Sequence, residues 1–423
     1  MSQCERDRPE VVVTGMGVLA PGGNNLPLFW DTLCSGKSTA DHLTVRCPGS
    51  RELPVRFGCA VQDVDPIAAL GNKAARRMDR FSQLAVIAGM AAISDSGITD
   101  PDKGRSGIIV GTGIGGAGTH QGAVLGELHY EEMRRIPYAI PMIMSNAAAG
   151  QLAIHTGWTG PNITISTACA SGANAIGEGM RMIRAGIADV VLAGGSDTPM
   201  TPFIILAFHN LRALSTRNDD PGAASRPFDA QRDGFVLGEA AAFVVLESAQ
   251  HARARGAAVW AQARGYGCTS DAWDMVTPKE DGSEAERCMS LALRDAHVTT
   301  SEIEFINAHG TSTVLNDRTE AVAIRRLFGA DAPPVTSNKG TVGHSMGASG
   351  AVEFIATCLS LSAGRIPPTA NYERSEQQID LDIVSGNGAP CQSGNALAIS
   401  NSFAFGGSNA CLVIQGGDRR LSS

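Results

Sequence analysis

The sequence predicts an α/β fold with buried sheets, on two observations. Short apolar, β-rich runs alternate with helical stretches of small residues along the whole chain. Charged residues are only 18% and apolar residues 43%, which excludes disorder as a description of the whole chain. Its 423 residues are enough for two or three structural units around a large core. Glycine, at 49 residues, is well above the usual share of about 7%, so close backbone approaches are expected.

Val11-Val12-Val13-Thr14-Gly15 reads as the first strand, apolar and β-branched. A helix is predicted over 81–96. Gly107-Ile108-Ile109-Val110-Gly111 is a second strand that ends in a glycine loop. A short strand ends at Thr164-Ile165, and a helix of tiny residues is predicted over 170–186. Strands follow at 189–195 and 241–246, the latter after the glycine-rich Asp233-Gly234-Phe235-Val236-Leu237-Gly238. Beyond these, helices are predicted over 283–296, 318–328 and 349–363. Strands are predicted over 303–307, 396–400 and 410–414. The polar runs 214–232 and 269–283 read as surface loops. No short repeat, low-complexity tract or flexible linker is visible.

Acidic residues outnumber basic ones, 42 against 34, for a net charge of −8. This argues against a basic nucleic-acid surface. The N-terminus shows no apolar signal-peptide core. The longest stretch without Asp, Glu, Lys or Arg covers 136–177, but Pro137, Pro141, Pro161, Asn146 and His155 argue against a membrane helix. It reads as a deeply buried segment, one able also to meet a partner subunit. Ten cysteines include no CxxC pair, which fits a reducing, cytoplasmic setting away from membranes. Only 5 of the 34 basic residues are lysine, so a lysine in an apolar setting stands out.

Chemistry can sit at three places. In Thr164-Ile165-Ser166-Thr167-Ala168-Cys169-Ala170-Ser171-Gly172 a strand ends and a helix begins at the cysteine. A helix N-terminus favours thiolate, and its N–H groups can hold an oxyanion. The bland alternative is a buried structural cysteine. In Asn307-Ala308-His309-Gly310-Thr311-Ser312-Thr313 a histidine follows a strand, where α/β proteins place reactive groups. The alternative is a histidine satisfied by its own loop. The third place is 337–350, with Lys339, His344 and four glycines before an apolar helix. It lacks the order of a phosphate-binding P-loop. Its alternative is a surface lysine and a capping histidine. The glycine turn at 401–409, containing Phe405, is either a tight hairpin or a second oxyanion N–H with a mobile gate.

One cysteine, two histidines and a lysine together suggest acyl-thioester chemistry. Cysteine is a natural thioester-exchange nucleophile. Two neutral imidazoles can both donate to one thioester carbonyl and stabilise an enolate. A cysteine protease needs only one histidine. No metal-ligand spacing is present.

These residues resemble the condensing enzymes of the thiolase superfamily, specifically the elongating β-ketoacyl-acyl-carrier-protein synthases of fatty-acid and type II polyketide pathways. The resemblance runs over 11–414. Its anchors are Thr167-Ala168-Cys169-Ala170-Ser171-Gly172, the Asn307–Thr313 motif quoted above, 339–350 and 401–409. Arg212-Ala213-Leu214-Ser215-Thr216-Arg217-Asn218 and Arg232-Asp233-Gly234-Phe235-Val236-Leu237-Gly238-Glu239 match too.

The resemblance implies a thiolase-like fold of two related halves, 1–258 carrying the cysteine and 259–423 carrying the histidines and lysine. These would pack as five α-β-α-β-α layers in a dimer, with 136–177 in the core and dimer interface. It implies a decarboxylative Claisen condensation. Cys169 would take the acyl chain, while His309 and His344 hold the malonyl thioester carbonyl as carbon dioxide leaves. The N–H groups of Cys169 and Phe405 would form the oxyanion hole. Lys339 would order the histidine loop through Glu320. Thr311 and Thr313 match positions that contact the pantetheine arm. Phe405 matches a gate, and Ile114, Ile204 and Phe208 fall in the acyl pocket. Neither a metal nor a redox cofactor is needed. The partner implied is an acidic acyl carrier protein, with Arg76, Arg77, Arg134, Arg135 and Arg212 matching the docking surface. A homodimer, or a heterodimer with a ketosynthase-like chain-length factor, is implied as the assembly.

Two departures point to a specialised polyketide or polyene pathway. Thr201-Pro202-Phe203-Ile204-Ile205-Leu206-Ala207-Phe208 is bulkier than its glycine-rich counterpart in fatty-acid enzymes, and Thr313-Val314-Leu315-Asn316-Asp317 lacks their proline. The rival readings are a thiolase, an acyltransferase or decarboxylase on the same scaffold, and a silent chain-length factor. The last would lack the cysteine.

Overall fold

A computed structural model describes residues 8–45, 52–127 and 137–421. Its main sheet has two sets of five strands. The first is β1 (Val11–Leu19), β2 (Ser106–Gly111), β3 (Asn162–Ile165), β4 (Val190–Asp197) and β5 (Ala240–Ser248). The second is β6 (Ala261–Ser270), β7 (Ile303–Asn307), β8 (Val335–Thr336), β9 (Leu397–Phe403) and β10 (Ser408–Gly416). The spatial orders are β1-β5-β4-β2-β3 and β6-β10-β9-β7-β8. In each set the first two pairings are antiparallel and the last two parallel. The second set therefore repeats the first strand for strand. The sets join edge to edge where Val11, Val12 and Val13 pair with Ala263, Gln262 and Ala261. The duplication, not apparent as a repeat on reading the sequence, is plain in this topology.

The main helices are α1 (Arg80–Ser96), α2 (Ala147–Thr156), α3 (Ser171–Arg184), α4 (Pro202–Asn210), α5 (Ser283–Ala296), α6 (Val314–Phe328) and α7 (Ser349–Ala363). Helices α3 and α7 pack together between the two strand sets, with α1 and α2 outside one and α5 and α6 outside the other. The result is the five-layered thiolase-like arrangement expected. Strand alternation explains the near-continuous apolar runs. Val191 and Ala193 belong to the central core, whereas Val190 and Leu192 belong to an outer one. In β10, Leu412 and Ile414 are central, whereas Cys411 and Val413 are outer. The segment Met346–Ala363 is apolar enough to cross a membrane by composition, but 94% of it is buried inside the protein.

Strand β6 escapes sequence reading because of its glycines. A Cβ on Gly265 would lie 2.2 Å from the Ala292 carbonyl oxygen, and one on Gly267 2.1 Å from that of Cys288. Close approach of α5 thus demands residues of poor β propensity. Helix α6 begins four residues before the predicted 318, because Thr313 caps it by accepting from the Asn316 N–H. The run 214–232 is not the surface loop expected. Arg226 and Asp229 pair with each other in the interior, and Arg232 pairs with Glu376. Internal pairing lets a polar run be buried. Nor is 136–177 buried throughout its described part. Ala148, Ala149 and Leu152 are buried, but Ile140, Met144, Ile154 and Ile163 are exposed. Strand β3 is a sheet edge, so its outer side has no strand partner among the described residues.

Replacing Gly265 by alanine drives a methyl group into the α5 backbone. It is expected to lower unfolding stability by about 3 kcal/mol. Chemical denaturation of the variant against the native chain measures this, and an unchanged midpoint would contradict the packing described.

Candidate active site

The Cys169 turn is local geometry built on small residues. Ala168–Ala170 forms a single 3-10 turn, and α3 follows at Ser171. Ala168 has φ 47°, the left-handed region that costs a residue with a side chain. The Ser171 hydroxyl accepts from the Thr167 N–H at 2.9 Å and donates to the Ala168 carbonyl at 2.7 Å, closing the turn. Cys169 is buried at its apex.

Burial pushes the Cys169 thiol up to about 12. The Lys339 charge and the N–H groups of Phe405 and Cys169 itself pull it down, while Asp197 pushes it further up. Burial thus acts against the thiolate expected at a helix start, and outweighs the Lys339 charge and the two N–H groups. The N–H groups of Cys169 and Phe405, the expected oxyanion donors, are among the groups that pull the thiol down.

The histidines lie on the opposite wall, with ring centroids 5.4 Å apart and planes at 84°. Both are buried, and burial together with the nearby Lys339 charge holds each well below the ordinary 6.5. They are neutral at physiological pH. Lys339 Nζ lies 3.2 Å from His309 Nδ1. An ammonium can only donate, so Nδ1 accepts and the ring proton is on Nε2. His344 Nδ1 meets the Ser349 hydroxyl at 2.8 Å, and with serine donating the same tautomer follows.

Lys339 is one of the largest fully buried side chains, and its three donors are all used. They reach His309 Nδ1, the His309 carbonyl at 2.6 Å and the carboxylate of Glu353. The expected link from Lys339 to Glu320 is thus corrected: the ion pair is with Glu353. Glu320 instead accepts from the His309 and Gly310 N–H groups at 2.9 and 2.8 Å, which holds the loop by its backbone. Burial raises both carboxyls to about 7. Glu353 was legible as the one charged residue between Lys339 and Arg365. Asp317, equally unforeseen, accepts from the Thr311 and Phe228 N–H groups at 2.9 and 2.7 Å.

A cavity of about 230 Å³ is lined by Cys169, His309, His344, Phe405, Thr311 and Thr313. The two threonine hydroxyls are 2.9 Å apart. Phe208 and the exposed Arg212 also line it. Ile114 and Ile204 do not; they pack in the apolar cluster that holds Cys169, Phe208 and Met346. Arg76 and Arg77 are exposed, and Arg77 lies over the Tyr138 ring at 4.6 Å. Arg134 and Arg135 lie outside the described residues. Among the described residues, no group of three His, Cys, Asp or Glu side chains is placed to hold a metal ion.

Glu353→Gln removes the buried counter-charge of Lys339. It is expected to cost about 3–5 kcal/mol of unfolding stability. Chemical denaturation reads this out, and a cost near zero would show that the pair is not the anchor of the His309 loop.

The comparisons with known proteins agree with this geometry. Residues 8–252 match the family model "Beta-ketoacyl synthase, N-terminal domain" and residues 260–373 match "Beta-ketoacyl synthase, C-terminal domain". The 3-oxoacyl-[acyl-carrier-protein] synthase 2 of Vibrio harveyi is 40% identical over 410 residues, covering 96% of this chain and 98% of the relative. The solved ishigamide ketosynthase/chain length factor superposes with a TM-score of 0.90 at 32% identity, covering 97% of this chain and 100% of that one. A type II polyketide acyl-carrier protein in complex with its ketosynthase (AntDE:AntF) contains a chain that superposes with a TM-score of 0.84 at 30% identity, covering 97% and 100%. The chain belongs to the β-ketoacyl synthase family of the thiolase superfamily, enzymes that condense acyl groups by forming a carbon–carbon bond.

Proposed function

We propose that the chain is a β-ketoacyl-acyl-carrier-protein synthase that condenses an acyl-Cys169 intermediate with a malonyl thioester, in a specialised type II polyketide or polyene pathway. One observation carries the reaction: a single cavity gathers Cys169, Phe405 and two neutral histidines. The thiol gives its proton to the departing carrier thiolate as it takes the acyl group. A malonyl thioester then enters past Thr311 and Thr313. His309 and His344 donate from Nε2 to its carbonyl while the bond to the carboxylate breaks and carbon dioxide leaves. The enolate carbon attacks the acyl carbonyl, whose oxyanion sits between the Cys169 and Phe405 N–H groups. Collapse forms the β-ketoacyl thioester and expels the Cys169 thiolate, which takes up one proton. Because decarboxylation makes the carbanion, no strong base and no cofactor are required.

The specialised pathway is supported by bulk. Ile204 and Phe208 of α4 pack in the cluster with Cys169, although Phe203 of the same stretch faces solvent. Fatty-acid elongation is the second reading, favoured by the name of the Vibrio harveyi relative. The partner is an acyl carrier protein, as in the AntDE:AntF complex, docking near the exposed Arg76 and Arg77 and near Arg212, which lines the cavity. The assembly is a dimer through the β3 edge with its exposed Ile163 and through the exposed Ile154 of α2, with a second copy or with a chain-length factor. The two halves divide at 258/259. The ten cysteines without a disulfide framework support a cytoplasmic setting.

Intact mass of the chain after exposure to a panel of acyl carriers, then malonyl carrier, tests the reaction. Acylation and a product two carbons longer are expected. Cys169→Ala abolishes acylation but keeps malonyl decarboxylation, whereas His309→Ala or His344→Ala slows decarboxylation by about 10²-fold or more. Acylation without extension, with a competent donor, would favour an acyltransferase or a missing partner subunit. Plain long saturated chains as best substrates would overturn the specialised pathway.

A further inference from the structure

The buried carboxylate of Asp197 takes no part in the chemistry above. It stands at the end of β4, fully buried. Its Oδ2 accepts from the N–H groups of Gly113 and Gly347, both at 2.7 Å. Its Oδ1 accepts from the Thr112 hydroxyl at 2.6 Å and the Ile114 N–H at 3.3 Å. One side chain thus ties together two loops from opposite halves of the chain. The first carries Ile114. The second carries Met346, immediately before Gly347. Both side chains pack in the apolar cluster with Cys169.

The junction has no slack. A Cβ on Gly347 would lie 2.4 Å from the Gly113 nitrogen and 2.6 Å from Asp197 Oδ2. Met346 itself is held at φ 50°, in the left-handed region. His344 is pinned independently. Its N–H donates to the Val236 carbonyl at 2.8 Å, and its carbonyl accepts from the Gly238 N–H at 2.9 Å. Disturbing Asp197 therefore acts on the Met346 wall before it acts on the histidine pair.

We infer that Asp197 is a specificity-determining positioning residue: through the Gly347 N–H it sets the position of Met346, which lines the cavity with Cys169, against the loop of Ile114 packed behind it, and so the acyl chain that the cysteine accepts. This rests on the acyl-transfer reading of the proposed function. In an apolar pocket one methylene is worth about 10–200-fold in discrimination, so a small change in wall spacing resets the preferred chain. The carboxylate also opposes ionisation of the Cys169 thiol, against the favourable charge of Lys339.

The test compares the full chain with Asp197→Asn and Thr112→Val, loading each with a series of saturated acyl carriers read by intact mass. Asp197→Asn turns an acceptor oxygen into a donor facing N–H groups, and Thr112→Val removes one donor at similar volume. In Asp197→Asn, the loading ratio between the best chain and one two carbons shorter is expected to fall about tenfold. Malonyl decarboxylation stays within about twofold. Thr112→Val shifts the ratio in the same direction by less. The pH profile of Cys169 alkylation moves to lower pH in Asp197→Asn, a change that a merely structural role would not produce. An unchanged ratio in both variants overturns the inference. So does an equal loss of loading for every chain and of decarboxylation. If Asp197→Asn does not fold, the Thr112→Val ratio alone decides. A native chain that loads no acyl group overturns the proposed function itself, which separates the two failures.

Discussion

The site depends on the close crossing of the two central helices, α3 and α7. A Cβ on Gly172 would lie 3.0 Å from the Ala351 nitrogen, and one on Gly350 2.8 Å from the Ala173 nitrogen. The contacts are reciprocal, as the duplicated topology requires. Each helix is entered through the same device, a 3-10 turn whose first residue has positive φ, Ala168 at 47° and Met346 at 50°. One copy of the turn carries Cys169. The loop before the other carries His344. Any larger residue at the crossing would part the helices, and cysteine and histidine would no longer share a cavity. Packing at native density leaves no room to absorb that shift.

Burial that makes the cavity also governs its electrostatics. The same desolvation keeps both imidazoles neutral and the thiol protonated. Lys339 is tolerated in such a place because Glu353 pairs with it and the His309 carbonyl and Nδ1 take its other donors. The lysine thereby fixes which nitrogen of His309 bears the proton. Positioning and protonation are one interaction here, not two.

Much of this was legible in the sequence, for physical reasons. Strands with β-branched apolar cores, such as Val11-Val12-Val13 and Ile108-Ile109-Val110, and helices with small or periodic apolar residues announce themselves locally. Cys169, His309, Lys339 and His344 stood in glycine-rich turns at the ends of such elements. Strand β6 did not show, because its glycines answer to α5 and not to strand propensity. Two-residue β8 is too short to carry a pattern. The duplication survives in sequence only as Ala-Ser-Gly-Ala at 170–173 and 348–351, where the helix crossing forbids change. Glu353 and Asp197 were single charges at the ends or middles of apolar runs, a signal read only once their partners are in view. The partner of Lys339 was misassigned because Glu320 and Glu353 both approach the His309 loop, one at its backbone and one through the lysine.

The central claim is that two neutral imidazoles present their Nε2 protons to one carbonyl. Nitrogen NMR of the chain with labelled histidine, assigned by His309→Ala and His344→Ala, tests it most directly. At pH 6.5, where a free imidazole is half protonated, both rings should give the signals of a neutral Nε2–H tautomer. A doubly protonated ring, or a proton resting on Nδ1 of His309, would contradict the account.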